Sequence, residues 1–117
     1  MDKGKVLGVG GVFFRSKNPA SLGEWYAKHL GLKIESWGET HGTSFSPLDM
    51  PAGSFTVWSV FEKKTEYFGS PQQGYMINLI VDDLDAALAN VAAGGAEVLE
   101  GSEDDDFGRF GWFVDPD

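Results

Sequence analysis

The chain has 117 residues, no cysteine and a formal net charge of −9, with 42% apolar and 14% aromatic residues. That length fits one compact domain, and so much apolar surface argues against intrinsic disorder. The missing cysteine excludes a disulfide framework, a thiolate nucleophile and a thiolate zinc site, while the acidity disfavours nucleic acid.

The charge is unevenly placed. Residues 1–74 hold 8 Lys/Arg against 7 Asp/Glu, whereas residues 75–117 hold Arg109 alone against 11 Asp/Glu. The ordinary reading of this acidic third is a solvated surface. Its run Glu103-Asp104-Asp105-Asp106 lacks the alternating ligands and the glycine turn of a calcium loop. Near the start, Val6-Leu7-Gly8-Val9 is too short and too glycine-rich for a signal-peptide core, and no apolar run nears the ~20 residues of a membrane span. The expected location is the cytoplasm.

In chain order, residues 6–16 are apolar and β-branched or aromatic, as suits a buried strand. Asn18-Pro19 marks a helix start, with Asn18 as the cap and Pro19 at the first helical position. Leu22, Trp25, Tyr26, His29 and Leu30 recur at helical spacing, and Gly31 suits a left-handed C-cap. Three strand-like segments follow, 32–39, 43–48 and 54–63, with turns at Gly42 and at Pro51-Ala52-Gly53. Residues 65–74 read as a linker. A strand is then predicted over 75–81, a cap at Asp82-Asp83, and a helix face of Leu84, Leu88, Val91 and Ala92 ended by Gly94-Gly95. Two more strands are predicted over 97–100 and 109–114.

This order repeats. An offset of 65 carries Val12 to Ile77, Asn18 to Asp83, Tyr26 to Val91, Ile34 to Leu99 and Glu35 to Glu100. Repeats of this kind signal stacked supersecondary units. The expected class is α+β: a single domain, 1–117, of tandem βαβββ modules, 5–64 and 75–117. They would form a curved mixed sheet around a cup-shaped cavity. On the same offset the last strand of the second module falls beyond residue 117, so it is absent from this chain.

Four stretches carry a family resemblance. They are residues 10–19 (Gly-Gly-Val-Phe-Phe-Arg-Ser-Lys-Asn-Pro), 25–32 (Trp-Tyr-Ala-Lys-His-Leu-Gly-Leu), 81–85 (Val-Asp-Asp-Leu-Asp), and Phe107-Gly108-Arg109-Phe110 with Asp115-Pro116-Asp117. In this order and spacing the chain resembles the vicinal-oxygen-chelate superfamily of glyoxalases, bleomycin-resistance proteins and extradiol dioxygenases. The resemblance implies a metal cup with His, Glu or Gln on the first and fourth strands of each module. The positions it points to are Gly11, Ser59 and Met76, with the fourth beyond residue 117. Glycine offers no side chain, methionine is a soft ligand, and one hydroxyl does not hold a divalent ion. The expectation is therefore no metal, no cofactor and no catalytic residue.

Strand alternation then sets the faces. With Gly11, Ser59 and Met76 turned into the cup, Phe13, Arg15, Val57, Phe61 and Asn78 line it too, whereas Val12, Phe14, Trp58 and Val60 face the helices. The expected ligand site is Phe13, Arg15, Val57, Ser59, Phe61, Met76, Asn78 and Trp112, an apolar pocket with a few polar points. The same residues could instead fill the sheet interior. Trp37, Phe45 and Trp112 are core or pocket aromatics, and Trp25, Tyr26 and Trp58 are helix–sheet core. His29 and His41 are structural or exposed. Tyr67-Phe68, an unusual aromatic pair for a linker, would cover the cavity or a dimer seam. Gly8-Val9-Gly10-Gly11 is no phosphate loop, because no helix follows it at once.

The reading that results is a metal-independent small-molecule-binding protein of the glyoxalase/bleomycin-resistance type, with an aromatic or cationic ligand, no nucleic acid and no membrane. The alternatives are a glyoxalase-like metal-dependent lyase, isomerase or dioxygenase, and an assembly protein. A homodimer is expected, because a missing strand would leave open edges that recruit other chains; the other explanation is that the natural chain continues past residue 117.

Overall fold

The computed structural model describes residues 3–4, 6–70, 72–101, 103–105 and 108–117. Asp106 of the acidic run and Phe107 of the family motif lie outside the described residues. The chain divides into two compact units, one of Met1–Phe13 with Ser46–Ile80 and one of Phe14–Phe45 with Val81–Asp117.

The second unit holds both helices. α1 spans Pro19–Leu30, and the Ser21 N–H donates to Asn18 Oδ1 at 3.1 Å, as an N-cap requires. Gly31 closes it at φ 72°, and the Gly31 N–H donates to the Tyr26 carbonyl. α2 spans Leu84–Ala93, and here the Ala86 N–H donates to Asp83 Oδ1 at 3.0 Å. The two caps are 65 residues apart, as the repeat predicts. Asp85 adds a carboxylate to the positive end of α2. α2 ends in a Schellman pattern: Gly95 N–H donates to Ala92 O and Ala96 N–H to Val91 O, each at 3.0 Å, with Gly95 at φ 87°. No helix among the described residues is long and apolar enough to cross a membrane.

Among the described residues, three two-stranded antiparallel sheets accompany the helices. β1 (Glu35–Trp37) pairs with β2 (Thr40–Gly42) through a two-residue turn at Gly38-Glu39. Gly38 has φ 68°, which the first central residue of a II′ hairpin turn needs. The turn is therefore not at Gly42, as the sequence suggested. Gly42 lies inside β2, where an added Cβ would come within 2.9 Å of the Trp37 ring. Its small size serves a close cross-strand approach, and residues 43–48 form no strand.

β3 (Glu97–Val98) pairs with β6 (Phe113–Val114), and β4 (Glu103–Asp105) pairs with β5 (Gly108–Phe110). The predicted strand 109–114 is thus broken at Gly111-Trp112, and part of the acidic run takes strand form. Asp104 stands opposite Arg109 in that ladder, a register that suits a carboxylate.

The buried core lies where α1 meets α2 and β2 and where α2 meets β3. Val91 is 1% exposed, and Leu22 and Gly23 are buried too. α1 is tied across the unit by polar bonds: Trp25 Nε1–H donates to Gly94 O at 2.9 Å, and Tyr26 O–H donates to Asp115 Oδ2 at 2.7 Å. The Trp25 ring stacks on Phe113 at 6.1 Å and lies 5.2 Å from His29. A Cβ on Gly94 would fall 2.7 Å from His29, so glycine is what lets α2's end meet α1.

The first unit differs from expectation. Among its described residues there is no helix and no paired strand, so 6–13, 54–63 and 75–80 do not form the curved mixed sheet. Alternating apolar residues express a tendency to be half-buried, but a strand also needs a partner's backbone. The coarse class holds: two helices with small antiparallel sheets.

Candidate functional site

Of the eight residues assigned to a ligand pocket, six lie in the first unit: Phe13, Val57, Ser59, Phe61, Met76 and Asn78. All six are exposed, Phe13 to 96%. Arg15 and Trp112 belong to the second unit, Arg15 exposed and Trp112 half-buried. The Trp112 carbonyl accepts the Leu99 N–H at 2.9 Å, which extends the β3–β6 pairing by one bond.

Of the three implied metal positions, Gly11 supplies no donor, and a Cβ built there would lie 3.3 Å from the Phe13 ring. The exposed Phe13 ring would have to give by a few tenths of an ångström. Ser59 and Met76 are both exposed. Among the described residues, no group of three or more His, Asp or Glu is arranged to hold a metal ion.

Of the assigned residues, Phe61 lines a cavity formed by residues 61–74. It belongs to a stretch, 61–70 and 72–75, whose described residues make successive turns. Thr65 N–H donates to Glu62 O and Gly69 N–H to Glu66 O, both at 3.1 Å, and Gln73 N–H donates to Ser70 O at 3.0 Å. Thr65 Oγ1 also accepts the Tyr67 N–H at 3.2 Å. These local bonds let a short segment satisfy its backbone without a sheet, as in a compact surface loop.

The turns gather three rings. Phe61 stacks on Tyr67 with centroids 5.4 Å apart and planes 13° from parallel, and lies 5.1 Å from Phe68 at a 54° tilt. Beside them is a cavity of about 230 Å³. Phe61 and Phe68 form its apolar lining, and Glu62, Lys63, Thr65, Ser70 and Gln73 its polar lining, with Gly74. Glu62 and Lys63 make no ion pair among the described residues. Sequence reasoning treated most of this segment as a linker. The pointer in the sequence was Tyr67-Phe68, read there as covering the larger cup or a dimer seam and not as part of a cavity of its own.

A family model described as a glyoxalase-like domain matches residues 11–117. Neither the curated proteins nor the solved structures give a match.

Proposed function

Since the chain belongs to the glyoxalase-like domain family, we propose that it is a small-molecule-binding protein that works without a metal ion. The observation that carries this reading is the donor set at the family's ligand positions, Gly11, Ser59 and Met76. Divalent ions of this borderline-to-hard kind want imidazole or carboxylate, and these three positions supply neither. Carbonyl polarisation or oxygen activation by a bound ion is therefore not carried over to this chain.

In this reading residues 6–13, 54–63 and 75–80, unpaired among the described residues, would gain strand partners and complete the tandem βαβββ modules, whose cup would be lined by Phe13, Arg15, Val57, Ser59, Phe61, Met76, Asn78 and Trp112. The aromatic and aliphatic members would hold an aromatic or cationic ligand, and Arg15 and Asn78 would orient it. The acidic chain would draw a cation toward the site. The cup would be complete in a homodimer. Exposed apolar side chains in the first unit, such as Trp58 and Val60, each 78% exposed, are the kind of surface that association covers.

The test is a thermal-melt screen of planar aromatic, cationic and glutathione-like compounds, with and without divalent metal. A binder raises Tm with its concentration by mass action. The expected result is a ligand-dependent rise that chelator leaves intact. A rise produced by metal alone, with metal-dependent turnover, would replace this reading with a glyoxalase-like lyase, isomerase or dioxygenase.

A further inference from the structure

We propose that the self-folded stretch of residues 61–70 and 72–74 is a second binding site, sharing only Phe61 with the proposed cup, for a small zwitterion carrying one aromatic ring. The ligand has the chemistry of a free aromatic amino acid. Size sets the first limit. The cavity, partly open to solvent, has a volume of about 230 Å³, below the ~300–1,000 Å³ of drug-sized pockets and enough to receive a single ring. The Phe61 and Phe68 rings that line it are the natural partners of such a ring, by offset stacking or edge-to-face contact.

Charge sets the second limit. Glu62 and Lys63 both line the cavity, and neither is spent on an ion pair among the described residues. A simple anion would meet Glu62 and a simple cation would meet Lys63, each a like charge. A zwitterion satisfies both, its carboxylate on the Lys63 ammonium and its ammonium on the Glu62 carboxylate. The remaining polar groups agree. Thr65 Oγ1 accepts the Tyr67 N–H, which leaves its hydroxyl proton to donate to a carboxylate. Gln73 Nε2 donates to Tyr75 O at 2.9 Å, which fixes the amide and leaves Oε1 to accept from an ammonium.

Gly74 supplies a clean test. Its φ is not positive, and a Cβ added there meets nothing within 4 Å. Gly74→Leu therefore adds a side chain in open space beside the cavity lining without straining the backbone.

The experiment titrates the full chain with L-phenylalanine and follows backbone amide shifts, with benzoate and phenethylamine as single-charge probes. Saturable shifts confined to residues 61–75 are expected, with each single-charge probe binding about tenfold more weakly. Gly74→Leu should abolish the response. Lys63→Met, an exposed change that does not burden the fold, should weaken L-phenylalanine about tenfold and tighten phenethylamine, which no longer meets a like charge. The proposal is overturned by no response at any concentration, by equal binding of all three probes, or by binding that survives both substitutions. Shifts centred on Arg15, Ser59, Asn78 and Trp112 would also overturn it while favouring the cup, so the two readings fail separately.

Discussion

The two units of the chain solve the same physical problem with different means. The unit of Phe14–Phe45 and Val81–Asp117 contains every helix and strand among the described residues, capped at Asn18 and Asp83 and packed around Leu22 and Val91. The unit of Met1–Phe13 and Ser46–Ile80 satisfies part of its backbone with local turns and leaves many large apolar groups outside. Leu7, Phe13 and Leu48 are 91%, 96% and 93% exposed. The contrast teaches where order originates. Caps, a II′ turn and a Schellman end are decided within a few residues, whereas apolar strands are decided by what they pair with.

The contrast can be broken most forcefully at Val91. Val91→Asp would bury a carboxylate with no partner, and urea unfolding should show a loss of about 3–5 kcal/mol or no cooperative transition at all. Next is Gly94→Val, whose branched side chain meets the His29 ring. The overpacking should cost about 1–3 kcal/mol by the same assay, and shortening the partner in a His29→Ala, Gly94→Val double variant should recover part of it.

Asn18→Ala and Asp83→Ala probe the two equivalent caps. Each should lower stability by about 1 kcal/mol, and the two losses should add, because the caps share no partner. A large difference between them would show that the 65-residue correspondence is one of sequence and not of energetics. The smallest effect is expected in the first unit. Leu48→Ser should move the unfolding midpoint by no more than the equivalent of about 0.5 kcal/mol. A loss as large as that of Val91→Asp would erase the distinction between the units.

Much of the helical part of the fold was legible in the sequence. Asn18-Pro19, Gly31, Asp83 and Gly94-Gly95 marked both helices, because a helix terminus is a local hydrogen-bonding demand that particular side chains meet. Gly42 was misread because a glycine at a turn and a glycine under an aromatic ring look alike in one dimension; only the pairing of Trp37 with Thr40 separates them. The strand at 103–105 was hidden by its charge, since acidic residues are poor strand formers until a partner such as the segment around Arg109 stands opposite. The cavity at 61–74 was hidden by composition. Lys, Thr, Glu, Ser and Gln read as solvated linker, and their convergence depends on three turns that bring Phe61 to Tyr67 and Phe68.

The central claim, binding without a metal, is tested most directly by the metal content of the chain purified without chelator and then equilibrated with excess zinc, manganese or nickel and desalted. Elemental analysis should find far less than one ion per chain. Restoring the family's donor at one position, as in Met76→His, should not by itself raise that content, since Gly11 and Ser59 still supply no strong ligand. One tightly held ion per chain in the unaltered protein would contradict the account and return the enzyme reading to first place.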